Sequence, residues 1–462
     1  MPGCARTCTF VLTIIGFVAA QLAGCSREPA KPEPADGPDI LLIVVDTLRS
    51  DKLGCYGSNL GATPRIDALA ADGVRFERAY AHSPWTLPSL ASMLTSLDPL
   101  HHGAGGQAGK FTRLRPWVRT LAECFRDEGY ATASVVNVEF LTGPFGLTRG
   151  FDHVDFEVYP SNVQMRSAGR TTNAALAWLR APRDRPFFLL VHYFDPHLVY
   201  APPQPFRDKF ADPRDRRDSS WVFGTRRQIG GYRQGKTTFT RASIKRAEKL
   251  YDGEVAYTDS EVGRLLTGLR TMGLADSTVV VLTADHGEEF LDHDGFEHGH
   301  TLYDELVRVP LIIRFPGRFD AGTIEATVAH VDLAPTLCDL AGISTDPGFA
   351  GRTLVELMDG GEVAQRPIAF EGNHWGPPHR GWLQDGHKLV LPADGGALLF
   401  DLRNDPFERN DLSRADPQRV ARMTRDLETA RQSMGADPRH EPVPVELTPE
   451  ELDRLRSLGY VP

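Results

Sequence analysis

Three short groups of polar residues, each at the end of an apolar run, are the parts of this sequence best equipped for chemistry. Asp46-Thr47 follows DILLIVV, His192, Asp195 and His197 fall within VHYFDPH, and Asp285-His286-Gly287-Glu288 comes shortly after TVVVL. A single aspartate behind a strand is most often a helix cap or a turn residue. Three such groups together read differently. Carboxylate oxygens with an imidazole make a site for a divalent cation, and Gly287 lets the backbone turn tightly away from it.

The elements that must position these groups are legible in the apolar pattern. Asp39 to Val45 is a continuous β-branched run closed by an acid, as in a strand buried on both faces. Ala131 to Val136, Pro186 to Tyr193, Thr278 to Leu282 and Val309 to Phe315 repeat the pattern, with helical segments such as Pro64 to Asp72 and Lys245 to Met272 between them. The alternation predicts an α/β fold with a mostly parallel central sheet sandwiched by helices. In such sheets ligands bind beyond the carboxyl ends of the strands, where the polar groups lie.

The 41% hydrophobic composition is that of a globular protein, and a net charge of -10 from 51 basic and 61 acidic residues argues against a nucleic-acid partner. Arg6 and the apolar run Phe10 to Ala20 read as an export signal too short to span a bilayer. Leu22-Ala23-Gly24-Cys25 resembles a bacterial lipobox, which implies a lipid on Cys25 and anchoring to the cell envelope, on the periplasmic side. A Pro-rich charged tether follows. Past Cys25 only Cys55, Cys124 and Cys338 remain, too few and too scattered for a disulfide framework. The expected organisation is a signal peptide over 1–24, a tether over 25–38, a catalytic domain over 39–365 and a smaller α+β subdomain over 366–462.

Eight segments in order carry a resemblance to a known family: ILLIVVDTLRSDKLGCYG, TPRIDALAADGVRFERAYA, TLPSLASMLTS, FFLLVHYFDPH, TADHGEEF, LYDELVRVPLIIRFPG, VDLAPTLCDLAGI and LFDLRNDPFERNDL. Together they resemble the sulfatase family of the alkaline phosphatase superfamily, from Asp39 to the end of the sequence. The resemblance implies a metal-dependent hydrolase of sulfate or phosphate esters. It matches Asp46, Asp285 and His286 to metal ligands, with Thr86 adding a metal-bound oxygen, and His197 to the residue that contacts the transferred anion or protonates the leaving oxygen. The second acid of the usual Asp-Asp pair is Thr47 here. One carboxylate fewer and one nitrogen ligand shift the preference from calcium toward manganese or zinc, while magnesium or calcium still suits the remaining oxygens.

The nucleophile segment departs from the family. Sulfatases carry Cys or Ser in Cys/Ser-x-Pro-x-Arg and oxidise it to formylglycine. Here Thr86 fills that slot, Pro88 keeps the proline and Leu90 replaces the arginine. Threonine has a methyl on Cβ, so formylglycine is not expected. An unmodified Thr hydroxyl suits phosphorus, as in superfamily relatives that transfer phosphoethanolamine or phosphoglycerol, and a helix start with Pro88 in its first turn favours a tetrahedral anion. The alternative for Thr86 is a plain N-cap.

The supporting cations are thin. The family lysine expected four residues before Tyr303 is Gly299, flanked by His298 and His300, and His300 is the expected substitute as ligand or electrophile; His293 is another candidate. Where many sulfatases show Gly-Lys-Trp-His, this chain has Val135-Val-Asn-Val138, so Asn137 donates a hydrogen bond without charge. Two readings follow: a site rebuilt for a less charged ester such as a phosphodiester or phosphonate ester, or an anion- or glycan-binding relative with weakened turnover. Arg308 and Asp332 read as architectural. His374-Trp375 and His379 are placed to reach substrate but read mainly as packing. The arginines of 208–236 (Arg214, Arg216, Arg217, Arg226, Arg227 and Arg233) suit an anionic glycan or lipid headgroup or a solvated loop equally.

Overall fold

The computed structural model describes residues 36–107, 109–157, 165–210, 222–432 and 441–461. The expected signal peptide, Cys25, most of the tether, and Arg214, Arg216 and Arg217 lie outside them.

Eight strands form the central sheet: β1 (Asp39–Val45), β2 (Val74–Tyr80), β3 (Ala131–Val136), β4 (His153–Phe156), β5 (Phe187–Tyr193), β6 (Thr278–Ala284), β7 (Arg308–Arg314) and β8 (Gly322–Ala329). Their spatial order is β8-β2-β7-β6-β1-β5-β3-β4. Neighbours are parallel except at β7, which runs antiparallel to both β6 and β2. The exception has a local cause. Between β6 and β7 come only a small antiparallel pair, Glu289–Phe290 with Phe296–Glu297, and a one-turn helix, Asp304–Val307, so the chain re-enters the sheet from the same end with no long crossover helix to reverse it.

The five strands expected from continuous apolar runs are present at close to their expected bounds. β2, β4 and β8 were not legible that way because their side chains are partly exposed, and VRFERAY or GTIEATVA breaks the apolar run with charge. β5 and β6 are buried at every position. Helices cover the sheet, among them α1 (Thr86–Thr95) and the long α2 (Arg241–Thr271), whose Asp259 accepts hydrogen bonds from the backbone N–H groups of Arg65 and Ile66.

Ile368–Glu371, His379–Gln384, His387–Pro392 and Leu398–Asp401 form a separate antiparallel sheet backed by the helix Pro417–Gln432. It is fastened to the main body by Lys388, fully buried, whose ammonium meets Asp304 at 2.8 Å and Glu408 at 2.9 Å. A buried cation tolerates such a position only with partners of this kind. α3 (Pro449–Ser457) returns to the main body, where Arg454 forms a two-bond ion pair with buried Glu139. Among the described residues no helix is long and apolar enough to cross a membrane.

Candidate active site

Parallel pairing brings the polar groups together. In register, Val44 stands beside His192 and Val45 beside Ala284, so β1, β5 and β6 end at one level and present Asp46, His192 and Asp285 to a common point. One donor atom from each of these three lies within 4.8 Å of the others, and all three residues are fully buried. His286 joins them, its Nε2 standing 3.6 Å from Asp46 Oδ1 and 3.4 Å from Asp285 Oδ2. His192, noted among the strand-end groups, is the ligand candidate that the family resemblance left out. The signal was a lone imidazole inside an otherwise apolar, fully buried strand.

The donor set fits a divalent cation. Both carboxylate oxygens of Asp46, Oδ2 of Asp285 and both ring nitrogens of His192 have no hydrogen-bond partner, although buried polar atoms are almost always paired. Burial pushes the Asp46 carboxyl well up, and the neighbouring Asp285 and Glu288 carboxylates add to it. A divalent cation held by these residues would remove that conflict. The backbone is also held under tension here: Thr47 adopts φ 54°, a region β-branched residues avoid, while its N–H donates to Asp285 Oδ1 and its carbonyl accepts from Tyr251.

Thr86 is the first residue of α1, and Trp85, in extended conformation, occupies the cap position. The hydroxyl of Thr86 is therefore not a cap. It lies 3.2 Å from His286 Nε2 and 2.9 Å from the phenol oxygen of Tyr460. The N–H groups that open a helix have no intrahelical partners and carry the positive end of its dipole, so this end of α1 favours an anion. Ser89, one turn along, donates to the carbonyl of Asp285 and locks the helix to the end of β6.

Histidines close the far side. His197 Nε2 is 3.2 Å from the Tyr460 hydroxyl, and His298 Nε2 is 3.4 Å from it. The hydrogen-bond network assigns the tautomers: Nδ1 of His197 and of His286 each faces a backbone carbonyl, and Nδ1 of His298 faces Glu288, so these atoms carry the protons. Three Nε2 lone pairs therefore point inward. Burial holds the imidazoles of His197 and His298 well below the ordinary range, with neighbouring histidines adding to the effect. A pocket this rich in lone pairs is complementary to a cation and receives an anionic ester only beside one.

Two expected site residues go elsewhere. His300 Nε2 is bound to Glu289 at 2.8 Å, so it serves the 289–300 loop and not Thr86. Asn137 donates to the backbone carbonyl of His192 and to Thr171 Oγ1, and accepts from Arg166. It braces the strand carrying His192 and has no N–H left to donate to a substrate. His293 pairs with Glu305 at 2.6 Å. Arg308 and Asp332 are architectural, bound to Glu77 and to Arg366 with the Arg352 N–H. His374 was read as packing. It does pack on Trp85, and its Nε2 also approaches the Tyr460 carbonyl at 2.9 Å. Tyr460 itself, 374 residues from Thr86, gave no sign in the sequence.

The family model described as sulfatase matches residues 38–343, well over half of the chain. The chain belongs to the sulfatase family. A second model of that kind, described as the C-terminal part of N-sulphoglucosamine sulphohydrolase, matches residues 292–433. This sulfatase-family hydrolase is 27% identical to the uncharacterized sulfatase YidJ of Escherichia coli (strain K12) over 425 residues, covering 81% of this chain and 83% of the relative. Its fold is that of the phosphonate monoester hydrolase of Agrobacterium radiobacter, with TM-score 0.70, 22% identity, and coverage of 89% of this chain and 100% of the other. A 2-O GAG sulfatase gives TM-score 0.72 at 22% identity, covering 90% and 96%.

Proposed function

We propose that this sulfatase-family protein hydrolyses anionic esters by in-line attack of the unmodified Thr86 hydroxyl on tetrahedral phosphorus or sulfur. The observation that carries the reading is the placement of Thr86 Oγ1, at the start of a buried helix and 3.2 Å from the inward lone pair of His286, beside the cluster of Asp46, His192 and Asp285. Asp46, His192 and Asp285 would hold one divalent cation, which when bound supplies Lewis-acid stabilisation of the anion's charge. His286 Nε2 is placed to accept the Thr86 proton, and the opening turn of α1 stabilises charge on the transferred group. His197, whose Nδ1 is fixed on the Leu198 carbonyl, directs Nε2 to the same Tyr460 hydroxyl that meets Thr86, which places it beside the attacked group.

Phosphoryl esters with a single charge suit this site better than sulfate. Threonine cannot take the aldehyde route, so a Thr-bound group must leave by attack of water. The missing arginine and lysines leave fewer cations for a doubly charged phosphate monoester, which favours a singly charged diester or phosphonate ester among the phosphoryl substrates. The fold shared with phosphonate monoester hydrolase is compatible with this choice. The names of sulfatase relatives favour sulfate. The test is a panel of p-nitrophenyl sulfate, bis(p-nitrophenyl) phosphate and a p-nitrophenyl phosphonate ester, each with calcium, magnesium, manganese or zinc. Turnover of the diester or phosphonate above the sulfate is expected; sulfate release that exceeds both overturns the phosphoryl preference.

The lipobox-like LAGC supports envelope anchoring through Cys25. Palmitate label should enter the protein expressed in a bacterial host and be lost in Cys25→Ala; equal labelling of both would exclude this anchor.

A further inference from the structure

Tyr460 stands against the proposed nucleophile. Its hydroxyl lies 2.9 Å from Thr86 Oγ1, 3.2 Å from His197 Nε2 and 3.4 Å from His298 Nε2, and its ring is boxed by Trp85, Phe140 and His374 at centroid distances of 6.0, 4.8 and 5.7 Å. Thr86, His286 and Asp46 are fully buried, and Tyr460 is only 2% exposed. On the other side of the same short segment is an open cavity of about 1000 Å³, lined by Leu198, Arg233, Trp375, Leu458, Gly459 and Val461. The segment is thus a partition: its neighbours face the cavity while Tyr460 faces the nucleophile.

The sequence builds this turn deliberately. α3 starts with a capping box between Thr448 and Glu451 and ends with Gly459 at φ 86°, a conformation glycine adopts without strain. The Tyr460 N–H donates to the Leu455 carbonyl and the Gly459 N–H to that of Arg456, which closes the helix and swings the next side chain inward. The segment is then latched from outside. Arg233 donates to the Gly459 carbonyl, pairs with Glu297 at 2.5 Å and lies over the Trp375 ring, while His374 holds the Tyr460 carbonyl.

We propose that Tyr460 is a built-in plug: its phenol fills the leaving-group subsite beside Thr86, and Leu458–Val461 must swing out before an ester entering from the outer cavity can reach the nucleophile. The aromatic box it vacates takes an aromatic alcohol. The proposal rests on Thr86 marking the reaction centre, and it concerns access to that centre, so it can be tested by binding as well as by turnover. A site competent only when the plug is out loses apparent affinity in proportion to the open fraction.

The experiment compares the full chain with Tyr460→Gly and with a chain stopped after Ser457. Two readouts are followed: calorimetric binding of free phenol, and kcat/KM for whichever p-nitrophenyl ester the full chain hydrolyses. Phenol should bind both variants at least about ten-fold more tightly, and kcat/KM should rise by a similar factor. Arg233→Ala, which releases the latch and leaves the phenol intact, should move phenol affinity in the same direction and guards against a misfolded truncation. Equal phenol affinity in the full chain and in folded Tyr460→Gly overturns the plug. So does a fall in kcat/KM in Tyr460→Gly, which would make the phenol part of the reaction machinery. If no protein in the series hydrolyses any ester, the hydrolase reading fails and phenol binding alone still decides the plug.

Discussion

His192 and Thr86 define the site at the scale of single residues, and they differ in how visible they were. Thr86 could be read from TLPSL because its spacing to Pro88 matched a known segment; what it does instead of capping needed the structure, which gives the cap position to Trp85. His192 was in view at the end of an apolar run, but neighbouring His197 drew the catalytic reading. Only strand register shows that His192 lies beside Val44 and level with Asp46. His192→Ala should therefore lower bound divalent metal well below one equivalent in the purified protein, measured by plasma mass spectrometry. Because both ring nitrogens lack partners, the loss should not be accompanied by unfolding on circular dichroism. Unchanged metal content would remove His192 from the ligand set.

At the scale of elements, the loop after β6 carries more of the site than any strand does. It supplies Asp285, His286, Glu288 and His298, and it is held by Arg49, which donates to the Glu288 carbonyl and meets Asp292 at 2.8 Å. Burial alone would raise the Asp292 carboxyl, but hydrogen bonds and charge from Arg49 outweigh it and bring it down to about 2, against 3.8 when unfolded. A depressed folded value means that the stabilisation is fully present above the unfolded value and is lost as pH falls toward about 2. Its size is on the order of 2 kcal/mol. Urea unfolding at neutral pH and near pH 3 should show a smaller drop in stability for Asp292→Asn than for the parent. Identical drops would mean that this pair does not govern the acid limb. The Asp/His-rich loop was legible as polar, yet its assignments were not: His300 and Glu289 form a pair inside the loop, whereas His298 reaches the centre. Which side chains of a 3-residue His-Gly-His stretch face inward depends on Gly299, at φ 79°, and no periodicity reports that.

For the whole molecule, the apolar runs announced the central strands, their parallel pairing and the edge at which ligands bind, because β1, β5 and β6 are buried on both faces and must be apolar throughout. What stayed hidden were contacts between distant parts of the chain. Lys388 clasping Asp304 and Glu408, Arg454 on Glu139 and Tyr460 on Thr86 join segments whose local sequence carries no sign of the partner. The site is a joint product of the central sheet, α1 and the segment after α3, and its departure from the family pattern is Thr86, the unoxidisable residue proposed as nucleophile. The most direct test of that claim is to quench the protein during turnover of bis(p-nitrophenyl) phosphate or p-nitrophenyl sulfate and map covalent adducts by high-resolution peptide mass spectrometry. The account predicts a phosphoryl or sulfuryl group on Thr86 and neither adduct nor turnover in Thr86→Ala. Undiminished turnover in Thr86→Ala, or an adduct on another residue, would contradict it.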